Sequence, residues 1–79
     1  MATVFVLINS EIGAEEEVLA ALRLIEEVKE AHMVYGVYDI IAKIVAPSMD
    51  TIKTTILNQI RGVADVRSTL TMIVVLNNT

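Results

Sequence analysis

The sequence contains no cysteine, one histidine and one proline, and no apolar run long enough to cross a membrane. The lack of cysteine excludes disulfide bonds and zinc sites with cysteine ligands, and the single histidine, His32, cannot form a histidine cluster. No set of nucleophile, base and orienting group can be assembled from these residue types. We therefore expect no catalytic site, no metal site and no cofactor.

The six basic residues are scattered singly along a chain whose formal net charge is −4. Binding of nucleic acid requires concentrated cations to contact the phosphates, so direct binding of DNA or RNA is not expected. The apolar N-terminal run also lacks the basic leader of a signal peptide. These absences favour a soluble, cytoplasmic protein that does not enter a membrane.

Apolar residues are abundant for so short a chain. They make up 54% of the 79 residues, although aromatic residues account for only 4%. A lone domain of this size buries a smaller fraction of its surface than a larger one does, and small domains usually gain stability from disulfides, metals or oligomerisation. The composition therefore indicates a single domain over residues 1–79 that oligomerises.

Four β-branched, apolar segments and two helical patterns follow one another along the chain. The first helix begins with the acidic residues from Glu15, and Ser48 is a natural N-cap for the second. The sequence from Ile25 lines up with that from Ile60, which indicates two related βαβ halves. The pattern predicts an α+β, ferredoxin-like βαββαβ fold, with a four-stranded antiparallel sheet and both helices on one face. The predicted strands cover residues 2–9, 31–37, 38–46 and 65–76.

Alternation along the strands separates the two faces of this sheet. The more apolar set of each strand is assigned to the helix side, and in the fourth strand this set is Leu70, Met72, Val74 and Leu76. Exposing large apolar residues on the other face would forgo roughly 1.5–3 kcal/mol each, so dimerisation through that sheet face is expected. A monomer with an exposed apolar face is the alternative. The six residues concerned are Phe5, Leu7, Ile41, Val45, Ile73 and Val75.

Asp39 and Lys43 are charged residues in an otherwise apolar strand, and alternation places both on the face opposite the helices. Each could meet an opposite charge in a symmetric interface, with Lys43 next to Asp39 of a second copy, or Asp39 next to Arg67. Asp39 also has a second interpretation, because Gly36 allows backbone N–H groups to approach a ligand closely. Such groups suit a carboxylate and an aspartate beside them suits an ammonium, which together match a free amino acid.

The stretch VKEAHMVYGVYDIIAKIVA, with VRSTLTMIVVL after one helix, resembles the C-terminal effector domain of the Lrp/AsnC family of feast/famine regulators, also called the RAM domain. Family members usually join an N-terminal helix-turn-helix to this domain, and the present chain resembles the stand-alone form without it. One departure is Val63-Ala64-Asp65-Val66, where the family commonly has Ile-Pro-Gly-Val. The resemblance is most specific at Gly36-Val37-Tyr38-Asp39, Lys43 and Thr69-Leu70-Thr71.

The resemblance implies dimers formed by sheet packing, rings of such dimers, and a free amino acid bound between dimers. The leading hypothesis is a non-enzymatic regulatory module that modulates transcription indirectly, by co-assembly with a DNA-binding Lrp/AsnC relative. Three alternatives stay open: a structural oligomeriser without a ligand, a small dimeric enzyme using Asp39, His32 and Tyr38, and a chaperone-like partner of another protein. The implied ligand-binding residues are Gly36, Val37, Tyr38, Asp39, Thr69 and Thr71.

Overall fold

The structure, a computed structural model, describes residues 1–75. The elements follow in the order that the sequence predicts, so the βαββαβ arrangement is confirmed. Strand β1 spans Ala2–Ser10, helix α1 Glu15–Arg23, strand β2 Val28–Met33, strand β3 Ile40–Ala46, helix α2 Met49–Thr55 and strand β4 Val66–Ile73. One π-helical turn, Ile56–Ile60, extends α2.

The four strands form one antiparallel sheet in the order β2-β3-β1-β4. The core lies between this sheet and the two helices, and every second residue of β1 and β3 enters it. Val18 and Leu22 from α1, and Ile52 from α2, cover these strand residues. The fully buried strand residues are Val4, Val6, Ile8, Ile40, Ala42 and Ile44.

Both helices begin where their sequences indicate. Glu15, Glu16 and Glu17 occupy the first turn of α1, where the helix dipole favours negative charge. Ser48 caps α2, because its Oγ accepts a hydrogen bond from the backbone N–H of Thr51 at 3.3 Å. Within residues 1–75, no helix has the length and apolar character needed to cross a membrane.

The predicted faces of β4 are wrong. Leu70 lies opposite Leu7 and Met72 opposite Phe5, so both point away from the helices, whereas Thr71 and Ile73 lie on the helix side. The error has a physical cause: β4 is an edge strand that stays partly exposed on both faces, so its two alternating sets do not differ enough in polarity to be told apart. Leu76, which the prediction also placed on the helix side, lies outside the described residues.

The boundaries between β2 and β3 also differ from the prediction. Strand β2 begins earlier and ends at Met33, and β3 begins only at Ile40. Residues 34–39, including Tyr38 and Asp39, therefore form a connection between the strands instead of belonging to them. The prediction that Tyr38 is a helix-side strand residue is wrong for this reason.

The sheet face opposite the helices, which we call the open face, carries a central apolar patch with charged residues at the β2 edge. Glu30 lies between His32 and Lys43, with its carboxylate oxygens 3.3 Å from His32 Nε2 and 3.8 Å from Lys43 Nζ. Lys43 thus has an acidic neighbour within its own chain. The apolar patch consists of Phe5, Leu7, Ile41, Val45, Leu70 and Met72.

Candidate functional site

Asp39 is held at the end of the sheet by three hydrogen bonds. Its backbone N–H donates to the carbonyl of Ile8 at 3.0 Å, and its own carbonyl accepts from the N–H of Val34 at 2.8 Å. Its carboxylate Oδ2 accepts from the N–H of Ser10 at 3.0 Å. These bonds tie the residue to the ends of β1 and β2, so the half-buried carboxylate has a fixed position.

Arg67 reaches the same region because the pairing of β1 with β4 contains a bulge. Asn9 pairs with Ser68 and Ser10 pairs with Val66, which leaves Arg67 as an extra residue without a partner in β1. A bulge of this kind changes the direction of a side chain. Arg67 Nε lies 3.6 Å from a carboxylate oxygen of Glu11, in an exposed ion pair.

Asp39 and Arg67 both line a cleft of about 430 Å³ at this end of the sheet, which we call the Asp39 cleft. The cleft is built from the end of β1, the start of α1, the connection before β3 and the start of β4. Its surface is mostly polar and carries both signs of charge. The lining residues are Asn9, Ser10, Ile12, Glu15, Val37, Asp39, Arg67 and Ser68.

An adjoining cleft of about 300 Å³ shares Glu15 and Asp39 with the first. Its other lining residues, Met33, Val34 and Tyr35, come from the end of β2 and the connection that follows. This second surface is predominantly apolar. A molecule that lies in both clefts would therefore meet charged groups at one end and apolar side chains at the other.

The predicted site residues separate into those at the Asp39 cleft and those elsewhere. Val37 and Asp39 line it, and Gly36 and Tyr38 belong to the same connection, in which Gly36 has a φ of +146°. Thr69 lines a neighbouring cleft instead. Thr71 lines an apolar groove of about 290 Å³ beside α2, and the structure does not bring it to the Asp39 cleft.

Sequence reasoning missed most of the polar residues that β1, β4 and α1 supply to the Asp39 cleft, and it suggested Arg67 only as an interface partner of Asp39. Asn9 Nδ2 donates to Ser68 Oγ at 3.4 Å, and Ser10 and Glu15 also belong to the polar lining. The signal that could have found them was topological. The end of the first strand and the start of the last must lie side by side if those two strands pair in antiparallel fashion.

The residues proposed for an enzymatic alternative do not converge. Asp39 lines the Asp39 cleft, but His32 lies on the open face beside Glu30, and Tyr38 does not line the cleft. Among residues 1–75, no three acidic, histidine or cysteine side chains are grouped to hold a metal ion. What the cleft offers is a fixed carboxylate and a guanidinium, which suit a ligand that carries both an ammonium and a carboxylate.

Comparison with known proteins places this geometry in context. The family model described as the Lrp/AsnC ligand binding domain matches residues 3–77. The regulatory protein AsnC of Escherichia coli is 36% identical over 59 residues, which are 75% of this chain and 39% of AsnC. The solved structure of E. coli AsnC matches 99% of this chain and 53% of that chain, at a TM-score of 0.93 and 29% identity. This chain therefore spans about two fifths of the length of the curated relatives it matches.

Two further solved structures share the fold. A hypothetical protein from Pyrococcus horikoshii is 38% identical, with a TM-score of 0.90 and coverage of 98% of this chain and 93% of its own. A transcriptional regulator from Neisseria meningitidis, solved as a complex with L-Met, has a TM-score of 0.89 at 16% identity. That match covers 99% of this chain and 52% of the regulator.

Proposed function

Because this chain belongs to the Lrp/AsnC ligand-binding domain family, we propose that it binds a free amino acid and regulates transcription as a non-enzymatic, oligomeric module. The observation that carries the proposal is the placement of Asp39 and Arg67 in one cleft, on opposite sides of the end of β1. A free amino acid carries one positive and one negative group on the same carbon atom. The Asp39 cleft has a complementary group for each.

In the proposed complex, the Asp39 carboxylate accepts hydrogen bonds from the α-ammonium of the ligand. The Arg67 guanidinium, redirected from Glu11, binds the α-carboxylate, and the hydroxyl of Ser68 lies within the same lining. Charge-assisted hydrogen bonds of this type are stronger than neutral ones. The bond from the N–H of Ser10 holds Asp39 before the ligand arrives, which reduces the cost of ordering the site.

The apolar cleft next to Asp39 supports a ligand with an apolar side chain. Met33, Val34 and Tyr35 would contact that side chain while its polar end meets Asp39. The Neisseria regulator crystallised with L-Met has the same fold, and this supports the idea that the fold can hold an amino acid of this type. We therefore expect an aliphatic or thioether amino acid to bind better than an acidic one.

Residues 34–39, the connection beside the Asp39 cleft, are exposed enough to favour contact with a second copy of the chain around the ligand. Val37 is 85% exposed and Tyr35 is fully exposed, although both line the clefts. We propose that dimers form through the open face and associate further into rings. The connection of one dimer then meets a second dimer, so that Gly36, Tyr38, Thr69 and Thr71 contribute to ligand binding in the assembled particle.

Regulation in this proposal depends on mixed assembly. AsnC is longer than this chain, which matches 39% of its length. A module of this kind would act in the cytoplasm by joining the oligomers of a DNA-binding relative and changing their response to the amino acid. The alternative is a purely structural oligomerisation domain without a ligand.

A thermal-shift screen of the purified protein against the twenty amino acids tests the proposal, with its mass measured by light scattering. A ligand that binds only the folded protein raises Tm by mass action. We expect a rise for apolar amino acids that is lost in Asp39→Asn, which removes the charge and keeps an oxygen for the N–H of Ser10. Asp50→Asn, at an exposed position in the first turn of α2, is the matched control and should keep the rise.

Two results would contradict the binding of an amino acid in the Asp39 cleft. One is the absence of any Tm shift in a protein that forms a large oligomer, which would support the purely structural alternative. The other is a shift that Asp39→Asn and Asp50→Asn preserve equally, because the ligand would then bind away from the Asp39 cleft.

A further inference from the structure

A third cleft, of about 390 Å³, shares Arg67 and Ser68 with the Asp39 cleft. Its lining residues are Arg61, Val66, Arg67, Ser68 and Thr69. We propose that this arginine cleft binds the phosphate group of a small anion, and that the bound phosphate weakens amino-acid binding by drawing Arg67 away from the Asp39 cleft. The second part, the coupling, rests on the proposed function, whereas the first part stands without it.

The chemistry of the arginine cleft differs from that of its neighbour. Two of the six basic residues of the chain line it, together with two hydroxyl groups, and the lining contains no carboxylate. The guanidinium group presents a planar fork of N–H donors that matches the oxygen atoms of a phosphate. In a chain with a net charge of −4, this local grouping of positive charge and hydroxyl donors favours an anion.

The two arginines that line the cleft come from different elements. Arg61 follows the π-helical turn, and its backbone N–H donates to the carbonyl of Ile56 at 2.9 Å. Arg67 is the extra residue of the bulge in β4. Both residues line one cleft and the fold holds the backbone of each, so binding of one anion by both side chains requires no change of fold.

Arg67 is free to change its partner. Its pair with Glu11 has an Nε–Oε2 distance of 3.6 Å, and both side chains are more than half exposed. Exposed pairs of this geometry contribute little to stability, so a phosphate with two negative charges can compete with Glu11 for the guanidinium. When Arg67 binds a phosphate, it no longer meets the carboxylate of an amino acid in the Asp39 cleft. The two ligands then oppose each other, and by linkage each weakens the other by the same factor.

Equilibrium dialysis against radiolabelled inorganic phosphate, at constant ionic strength, tests the anion site without any amino acid. We expect saturable binding that weakens about tenfold in Arg61→Gln and in Arg67→Gln, because each loses a charge-assisted contact. Lys29→Gln is the control, since Lys29 lies on β2 at the opposite edge of the sheet and its ammonium donates to the carbonyl of Glu26. This variant should bind phosphate like the original chain.

Arg61 also follows the end of a helix, where a cation stabilises the exposed carbonyl groups. Arg61→Lys keeps that charge and loses the fork of donors, so it should fold normally and bind phosphate with intermediate affinity. Circular dichroism identifies variants that are unfolded. Competition with adenosine monophosphate then distinguishes a nucleotide from free phosphate as the ligand of the site. If adenosine monophosphate displaces the labelled phosphate at a lower concentration than unlabelled phosphate does, the ligand is a nucleotide. If it displaces the labelled phosphate less well, the ligand is free phosphate.

Absence of saturable binding, or equal binding by Arg61→Gln, Arg67→Gln and Lys29→Gln, would overturn the anion site. The coupling is measured separately, by calorimetric titration of the amino acid from the thermal-shift screen with and without phosphate. If phosphate lowers the affinity of the original chain for the amino acid and does not lower that of Arg61→Gln, the coupling is supported. If phosphate leaves the affinity of the original chain unchanged, the coupling is refuted. If no amino acid binds, the proposed function fails while the dialysis still decides the anion site.

Discussion

At residue 65 the backbone adopts a φ of +70°, in the left-handed region that side chains with a Cβ atom rarely occupy. The carbonyl of Asp65 accepts a hydrogen bond from the N–H of Glu11 at 2.8 Å, which anchors this conformation beside the Asp39 cleft. The family resemblance in the sequence implies glycine here, in the motif Ile-Pro-Gly-Val. The departure noted in the sequence therefore has a structural meaning: aspartate takes a backbone conformation that glycine adopts without strain.

We expect Asp65→Gly to raise the free energy of unfolding by up to about 1 kcal/mol, because it removes the strain of the left-handed conformation while making the unfolded chain more flexible. Asp65→Ala should lower the same quantity, since alanine tolerates this region less well than aspartate. Urea denaturation of the three proteins measures both changes. A glycine variant less stable than the alanine variant would show that strain at this position is not what limits stability.

Asp39 has a structural role that is separable from ligand binding. Ser10 is only 3% exposed, and its N–H donates to the Asp39 carboxylate. Asp39→Ala should therefore lower the free energy of unfolding by about 1–3 kcal/mol, because the buried N–H loses its acceptor. Asp39→Asn should lower it less, and light scattering should find the same oligomer for both variants. Guanidinium denaturation checks the stability, and dissociation of the oligomer would instead make Asp39 an interface residue.

Two of the ligand-binding residues that the family resemblance implied, Val37 and Asp39, line the Asp39 cleft. The sequence suggested Arg67 only as a neighbour of Asp39 in a symmetric interface, and it did not indicate Asn9 or Ser10. Their proximity depends on the bulge between β1 and β4, and a one-residue change in strand pairing leaves no mark in local composition. Residues brought together by register are therefore the part of a site that local patterns cannot reveal.

At the scale of elements, prediction succeeded where one face of an element is fully buried. Strands β1 and β3 lie in the middle of the sheet, and their alternation of buried and half-buried residues follows the predicted faces. Strand β4 lies at the edge, where Leu70 and Met72 on one face and Ile73 on the other are all about half exposed. Because the two faces of β4 are buried to a similar extent, their residues do not differ clearly in polarity, and the sequence does not distinguish the faces.

Helix α2 is short, so its cap contributes a large part of its stability. Ser48→Ala removes the acceptor for the N–H of Thr51 and should lower the free energy of unfolding by about 1 kcal/mol. Ser48→Asp supplies another acceptor and favourable charge at the helix start, and should cost much less. Thermal denaturation followed by circular dichroism compares the three proteins. Equal losses for alanine and aspartate would mean that the cap bond does not stabilise α2.

At the scale of the whole molecule, the apolar patch of the open face is the expected dimer interface. Leu70 is 46% exposed and lies opposite Leu7 within this patch. Leu70→Glu should dissociate the oligomer to monomers while the chain stays folded. In the monomer the glutamate is exposed to water and costs little free energy, whereas in the dimer its charge would be buried in the interface at a high cost. Sedimentation velocity at several concentrations measures the change.

Leu57→Glu is the matched control for this experiment. Leu57 is 60% exposed and lies on the helix side of the molecule, in the π-helical turn. The same substitution there should leave the dimer intact. If Leu57→Glu dissociates the oligomer and Leu70→Glu does not, the helices form the interface and the open face does not.

The Asp39 cleft takes its walls from three parts of the chain that are far apart in sequence: the segment 9–15, Val37 with Asp39, and residues 67–68. During synthesis, a growing chain that does not yet include β4 has no complete cleft, because Arg67 and Ser68 come from that strand. The amino acid of the proposed function can therefore bind only to chains that include β4. For the same reason, we expect a protease cut that removes β4 to abolish the proposed amino-acid binding.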